Sequence, residues 1–213
     1  MRLVFPKLYV IMNASLLHIS ETAFAQMLAE SGVGLVQYRS KAASSRDYFE
    51  ASLHLAERFR ARGVRFIVND RADVAALAGA DGVHVGQEDL GVEQARAIVG
   101  IGRWVGVSTH NVEQFRQAAA TSADYIAVGP IFPTSTKQNP DPVVGLELIR
   151  EVRPLTTKPI VAIGGITLER AAAVIETGAD CVAVASDICS AADPAAQVRR
   201  YLERLGASQT ASA

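Results

Sequence analysis

Cysteine is scarce. Cys181 and Cys189 are the only two in 213 residues, and no CxxC pair occurs. Two thiols cannot make a zinc site alone, and the expected setting is a reduced, soluble, cytoplasmic one. A basic run is also missing: 21 Lys and Arg stand against 22 Asp and Glu, a net charge of −1. That balance argues against a nucleic-acid platform held by counterion release. No apolar stretch approaches the roughly 20 residues that span a bilayer, so no membrane partner is expected. The apolar N-terminal patch is interrupted by Lys7 and Asn13 and reads as a first strand rather than a signal peptide. GxSxG, HExxH and Walker A elements are absent, which removes the common serine-nucleophile, zinc-protease and P-loop chemistries. What remains, 49% hydrophobic and 20% charged residues, is the composition of a compact globule.

Two patterns alternate along the chain. Short runs rich in Val and Ile predict strands at Leu8–Met12, Gly34–Arg39, Arg65–Asn69, Gly82–Val85, Val105–Ser108, Tyr125–Gly129, Ile160–Ile163 and Cys181–Ala185. Such runs, apolar on both faces, suit a buried parallel sheet. Between them, apolar residues at three- and four-residue spacing predict helices over Ser44–Ala61, Ala72–Leu77, Val92–Val99, Val112–Ala120, Leu146–Val152, Leu168–Glu176 and Pro194–Leu205. Asp47, Asn111, Thr167 and Asp193 stand where they can cap helix starts. Eight units in 213 residues is about 27 residues per unit, which predicts an α/β protein folded as a single (β/α)₈ TIM barrel over residues 1–205. A doubly wound open sheet is the alternative, but its GxGxxG fingerprint is missing from the first strand–helix turn. Residues 206–213 lack apolar periodicity and read as a frayed tail.

In such a barrel the C-terminal ends of the strands carry the chemistry. Gln37, Arg39 and Lys41 are spaced by two, so an extended chain puts an amide and two cations on one face, which suits phosphate or pyrophosphate binding; the alternative is solvated charge at a strand edge. Lysine occurs only at positions 7, 41, 137 and 158, and two of these lie at strand exits. Asp70 and Asp89 end consecutive units and can share a Mg²⁺ with phosphate oxygens; their alternatives are a helix N-cap and a turn residue. Thr134, Thr136 and Lys137 lie in a long connection, 130–144, of the kind that often serves function. Gly164 and Gly165, with Ala185 and Ser186, follow strands seven and eight, the common phosphate site of these barrels. His84 reads as a satisfied buried histidine, His18 and His54 as surface residues, Trp104 as a cover over the start of strand five, and Cys181 as apolar filler. A metal–diphosphate site facing a phosphate cradle, with no activated nucleophile between them, suits joining two phosphorylated small molecules with loss of pyrophosphate.

The stretches VQYRSK (Val36–Lys41), FIVNDRADVA (Phe66–Ala75), ADGVHVGQEDL (Ala80–Leu90), GVSTH (Gly106–His110), DYIAVGPIFPTSTK (Asp124–Lys137) and PIVAIGGIT (Pro159–Thr167) resemble, in this order, the thiamine-phosphate synthase (thiamine-phosphate pyrophosphorylase) family over residues 8–188. The resemblance implies a Mg²⁺-dependent transferase that condenses 4-amino-2-methyl-5-hydroxymethylpyrimidine diphosphate with a thiazole phosphate. The products are thiamine phosphate and pyrophosphate. It implies that Gln37, Arg39, Lys41, Asn69, Ser108 and Lys137 contact the pyrimidine diphosphate, with Arg39, Lys41, Ser108 and Lys137 serving the catalytic step. Asp70 and Asp89 would hold Mg²⁺, and Thr134, Thr136, Gly165, Ala185 and Ser186 would bind the thiazole phosphate. It also implies a dissociative route, in which pyrophosphate leaves a pyrimidine-stabilised carbocation that the thiazole nitrogen attacks. The alternatives are the thiazole tautomerase paralogue, whose chemistry uses a histidine near His110, and a non-catalytic ligand-binding barrel. The chain differs from the family pattern at Met12-Asn13, at Ala185 and in the QNPDP run after Lys137.

Overall fold

The computed structural model describes residues 5–134, 136 and 141–206. Eight parallel strands close into a barrel in sequence order: β1 (Leu8–Asn13), β2 (Leu35–Arg39), β3 (Arg65–Asn69), β4 (Gly82–Val85), β5 (Trp104–Thr109), β6 (Tyr125–Val128), β7 (Ile160–Ile163) and β8 (Cys181–Val184). Closure comes from β1 pairing with β8, Leu8 opposite Val182 and Val10 opposite Val184. The intervening helices are α1 (Glu21–Glu30), α2 (Ser45–Arg60), α3 (Ala72–Leu77), α4 (Val92–Val99), α5 (Val112–Ala119), α6 (Gly145–Val152), α7 (Leu168–Glu176), α8 (Ser186–Cys189) and α9 (Pro194–Arg204). The expected strands and helices all form, with ends shifted by a residue at most. The expected tail lies outside the described residues, apart from Gly206. Among the described residues no helix is long and apolar enough to cross a membrane.

Two helices escaped the pattern reading. For α1 the signal was present: Phe24, Ala25 and Leu28 make a buried face, and Ser20 caps it by accepting from Ala23 N at 3.2 Å. The other, α8, is a single turn too short for periodicity to register. Of the expected caps, Asn111 and Asp193 accept the N–H groups of Gln114 and Ala196, both at 2.9 Å. At α2 the cap is Ser44 rather than Asp47, and Thr167 makes no capping bond.

Strand alternation divides the core into two layers. Outward-facing residues such as Val10, Val36, Phe66, Val83 and Val182 pack under the helices. Inward-facing Tyr9, Ile11, Leu35, Ile67, Trp104, Tyr125, Ala127, Val161, Cys181 and Ala183 fill the barrel. Trp104, expected as a cover over the start of β5, is the first residue of that strand and plugs the barrel floor. Its ring stacks on Phe5 at 5.2 Å, with the Arg65 guanidinium 4.0 Å from its centre. Tyr125 reaches across the interior only because β5 carries glycine opposite it. A Cβ on Gly106 would lie 2.0 Å from Tyr125 Cζ and 2.4 Å from its Oη.

The floor of the barrel carries a repeated device. Asp81, Asp124 and Asp180 each immediately precede an even-numbered strand and follow an alanine. The Asp81 carboxylate accepts from Phe66 N at 2.8 Å while its own N–H donates to Phe66 O at 2.8 Å. Asp124 does the same with Val105, at 2.7 and 2.8 Å, and Asp180 with Ile160, at 2.8 and 2.9 Å. Each aspartate thus pairs both backbone groups of one residue on the preceding strand, satisfying a strand start that the ladder leaves open. Arg96 and Arg153 form ion pairs with Asp124 and Asp180.

Gly106→Ala is expected to destabilise the fold by roughly 1–3 kcal/mol, the usual cost of overpacking, whereas Gly102→Ala, with open space around it, stays within about 0.5 kcal/mol of wild type. Asp81→Ala is expected to cost about 1–3 kcal/mol by orphaning a buried N–H, with Asp81→Asn recovering most of that loss. Urea titration followed by circular dichroism checks both.

Candidate active site

The C-terminal ends of the strands surround one cavity of about 380 Å³. Every described residue singled out from the sequence lines it: Gln37, Arg39, Lys41, Asn69, Asp70, Asp89, Ser108, Thr134, Thr136, Gly165, Ala185 and Ser186. Lys137 lies outside the described residues. The apolar part of the lining comes from Tyr9, Ile11, Ala127, Val161, Ile163 and Ala183. The cavity is therefore polar on the β2–β5 side and apolar beneath.

On the polar side, Lys41 Nζ is ion-paired to Asp70. Asp70 has φ 63°, a left-handed conformation uncommon outside glycine, and its N–H donates to His84 O at 2.7 Å. It does not cap α3, whose N-cap is Arg71, so the capping alternative for Asp70 fails. Asp89 accepts from Gly86 N at 2.8 Å, so it does shape its turn as well as face the cavity. Burial, and after it the Asp70 carboxylate, push the Asp89 carboxyl above the usual range against the Gly86 hydrogen bond. Asp70 and Asp89, two neighbouring carboxylates beside Arg39 and Lys41, form a donor set that fits a hard divalent cation completed by water and phosphate oxygens. Tyr48 braces this side from behind: its Oη donates to Tyr38 O at 2.9 Å and accepts from Asn69 N at 3.2 Å, fixing the exits of β2 and β3 together.

The opposite wall is backbone. Gly165 has φ 62°, and a Cβ there would meet Pro133 O at 2.4 Å and Phe132 Cβ at 2.8 Å, so only glycine lets the β6 and β7 exits lie this close. Phe132 N donates to Gly164 O at 3.0 Å, and Arg170 donates to Gly165 O at 2.9 Å. The Asp187 carboxylate accepts from Leu168 N, Gln197 Nε2 and Tyr201 Oη at 3.2, 2.8 and 2.6 Å, tying the starts of α7 and α8 to α9. Thr134 and Thr136 are joined hydroxyl to hydroxyl at 3.2 Å at the rim.

His84 is fully buried and neutral, its pKa pushed down to about 4 by burial, and both ring nitrogens are bonded, to Tyr125 Oη at 3.0 Å and Ser108 Oγ at 2.8 Å. This matches the satisfied-histidine expectation. His110 also lines the cavity; its Nδ1 is bonded to Gly129 O and its Nε2 faces Asp141 at 3.5 Å. Asn13 is buried and turned to the chain after β1, its Oδ1 accepting from Ser15 Oγ at 3.1 Å. The sequence places Asp187 at the eighth strand exit and Tyr48 on a helix face but gives neither of them, nor Tyr9, a role at the site. Alternation along β1 does put Tyr9 on the inner face with Ile11, but nothing in the sequence indicates which side chains it meets.

Comparison with known proteins agrees with this geometry. The profile of the family described as "Thiamine monophosphate synthase" matches residues 8–188. The thiamine-phosphate synthase of Koribacter versatilis is 47% identical over 208 residues, covering 95% of this chain and 97% of its own length. That of Myxococcus xanthus is 45% identical over 196 residues, covering 92% and 90%. Among solved structures, thiamine phosphate pyrophosphorylase from Pyrococcus furiosus superimposes with a TM-score of 0.85 at 34% identity, covering 94% of this chain and 95% of that one. The chain belongs to the thiamine monophosphate synthase family.

Proposed function

We propose that the protein is a thiamine-phosphate synthase, a transferase that joins the pyrimidine diphosphate to a thiazole phosphate and releases pyrophosphate. The observation that carries this reading is the single cavity in which the Arg39–Lys41–Asp70–Asp89 side faces the Gly164–Gly165 and Ala185–Ser186 wall. Two anionic groups can be held at once over an apolar floor, which is the requirement for joining two phosphorylated small molecules.

Arg39 and Lys41 neutralise the diphosphate, Arg39 with a planar fork and Lys41 as a point charge. Gln37, Asn69 and Ser108 orient the pyrimidine half, with Lys137 as a further cation. Asp70 and Asp89 would hold Mg²⁺, which when bound supplies charge compensation for the departing pyrophosphate. The left-handed backbone at Asp70 and the Gly86 hydrogen bond at Asp89 hold the two carboxylates in place before substrate arrives. Gly165, Ala185 and Ser186, with Thr134 and Thr136, seat the thiazole phosphate so that its ring nitrogen faces the pyrimidine methylene. The reaction then needs no protein nucleophile: the C–O bond to the diphosphate breaks, the aminopyrimidine delocalises the positive charge, and the thiazole nitrogen forms the new C–N bond. The apolar floor of Ile11, Ala127, Val161 and Ala183 keeps water from the cation.

The purified protein given both substrates and Mg²⁺ is expected to release pyrophosphate and form thiamine phosphate in equal amounts; a folded protein that produces neither contradicts the reading. Arg39→Ala is expected to raise the KM for the pyrimidine diphosphate by roughly 10- to 100-fold, through loss of a charge-assisted contact, and to leave the KM for the thiazole phosphate nearly unchanged. Equal weakening of both would sink the two-site map. Asp89→Asn is expected to cut kcat/KM by roughly 100-fold or more through loss of a metal ligand. The same change should not lower the metal-free Tm at pH 7 and is expected to raise it. The sign follows from the raised carboxyl: the folded state holds this proton more tightly than the unfolded chain, so stability falls as pH rises through that range, and removing the charge relieves the loss. Thermal melts with and without Mg²⁺ check this, and an unchanged Mg²⁺ response in the variant would count against the metal assignment.

A further inference from the structure

Beneath the cavity a continuous line of hydrogen bonds crosses the barrel interior. Gln37 Nε2 donates to Tyr9 Oη at 2.8 Å, Tyr9 Oη meets Tyr125 Oη at 3.0 Å, Tyr125 Oη meets His84 Nδ1 at 3.0 Å, and His84 Nε2 meets Ser108 Oγ at 2.8 Å. Gln37, Tyr9, His84 and Ser108 line the cavity; Tyr125, which joins Tyr9 to His84, does not. Tyr9 and Tyr125 are fully buried.

Each phenol has one proton to give, so the orientation of the Gln37 amide sets the direction of the line. Tyr9 accepts from Gln37, so its own proton has Tyr125 Oη as its partner. Tyr125 then donates onward to His84 Nδ1, and the neutral imidazole carries its proton on Nε2, donating to Ser108 Oγ. The Gln37 amide presents Nε2 to Tyr9 and so sets this direction; turned over, its Oε1 would accept the Tyr9 proton and the line would run the other way. We infer that Tyr9, Tyr125 and His84 are positioning residues: their one-way hydrogen-bond line holds Ser108 as a donor and Gln37 Oε1 as an acceptor at the cavity wall before substrate binds. The Cβ-free position at Gly106 is part of the device, since it admits the Tyr125 hydroxyl to the barrel axis. The inference deepens the proposed synthase reading and rests on it for the identity of the ligand, but the line itself is a property of the free protein.

The deciding measurement is the tautomer of His84 in the substrate-free wild-type protein, read from its ring ¹⁵N resonances and assigned by their loss in His84→Asn. The expected result is the neutral form protonated on Nε2; protonation on Nδ1 overturns the inference. Tyr125→Phe keeps the ring and removes the donor to Nδ1, so His84 is expected to populate both tautomers. In that variant the KM for the pyrimidine diphosphate is expected to rise about tenfold, with kcat and the KM for the thiazole phosphate within about twofold of wild type. An unchanged pyrimidine diphosphate KM in folded Tyr125→Phe also overturns it. A purely structural role would lower Tm without separating the two substrates. If Tyr125→Phe does not fold, the wild-type tautomer alone decides. A wild-type protein with the Nε2–H tautomer and no synthase activity would refute the proposed function and leave the hydrogen-bond line standing.

Discussion

Pairing of β1 with β8 is the constraint on which the rest depends, because it turns a sheet with two edges into a closed barrel. Once closed, the barrel has an interior that must be filled and two rims that cannot be equivalent. The interior is filled unevenly. Large rings from β1, β5 and β6 occupy the lower part, while alanines, valines and isoleucines of β6–β8 and β1 leave room above them. That taper is why a cavity exists at one end and not the other. Closure also brings the exits of β2–β4 opposite those of β7 and β8, so cations and carboxylates come to face glycine backbone far away in sequence.

The two rims show a division of labour. At the N-terminal rim the alanine–aspartate pairs before β4, β6 and β8 use carboxylates as substitutes for strand backbone, and two of them recruit an arginine. At the C-terminal rim, Asp70 is held in a left-handed backbone, and Asp89 is held where burial raises its carboxyl. Aspartates at the first rim lower the free energy of the fold, and those at the second store strain and charge for a ligand. The residue type is the same; what differs is that the floor aspartates close a strand start, while Asp70 and Asp89 line the cavity.

The architecture was legible in the sequence because parallel strands buried on both faces give unmistakable apolar runs, and eight of them with helices between admit few folds. The positions of Gln37, Arg39, Asn69, Asp70, Ser108 and Gly165 followed from reading what stands at each strand end. Three kinds of feature were not legible. The α8 turn is shorter than the helical period. Braces such as Tyr48 and Asp187 act on backbone groups far away in sequence, and no local pattern marks such a target. The line from Gln37 to Ser108 joins five strands, so its existence depends on barrel stagger, which fixes who meets whom in the interior. Asp81, Asp124 and Asp180 repeat visibly as Ala-Asp before a strand, yet their meaning emerges only when the neighbouring strand is in place.

The central claim is that one cavity holds two separate anion sites that can be filled together. Calorimetric titration tests it most directly, using Mg²⁺ with inorganic pyrophosphate for one side and the thiazole phosphate for the other, a pair that cannot react forward. The account predicts that each binds one per chain and that saturation with either leaves the other's stoichiometry intact. Mutual exclusion, with one ligand displacing the other, would contradict it.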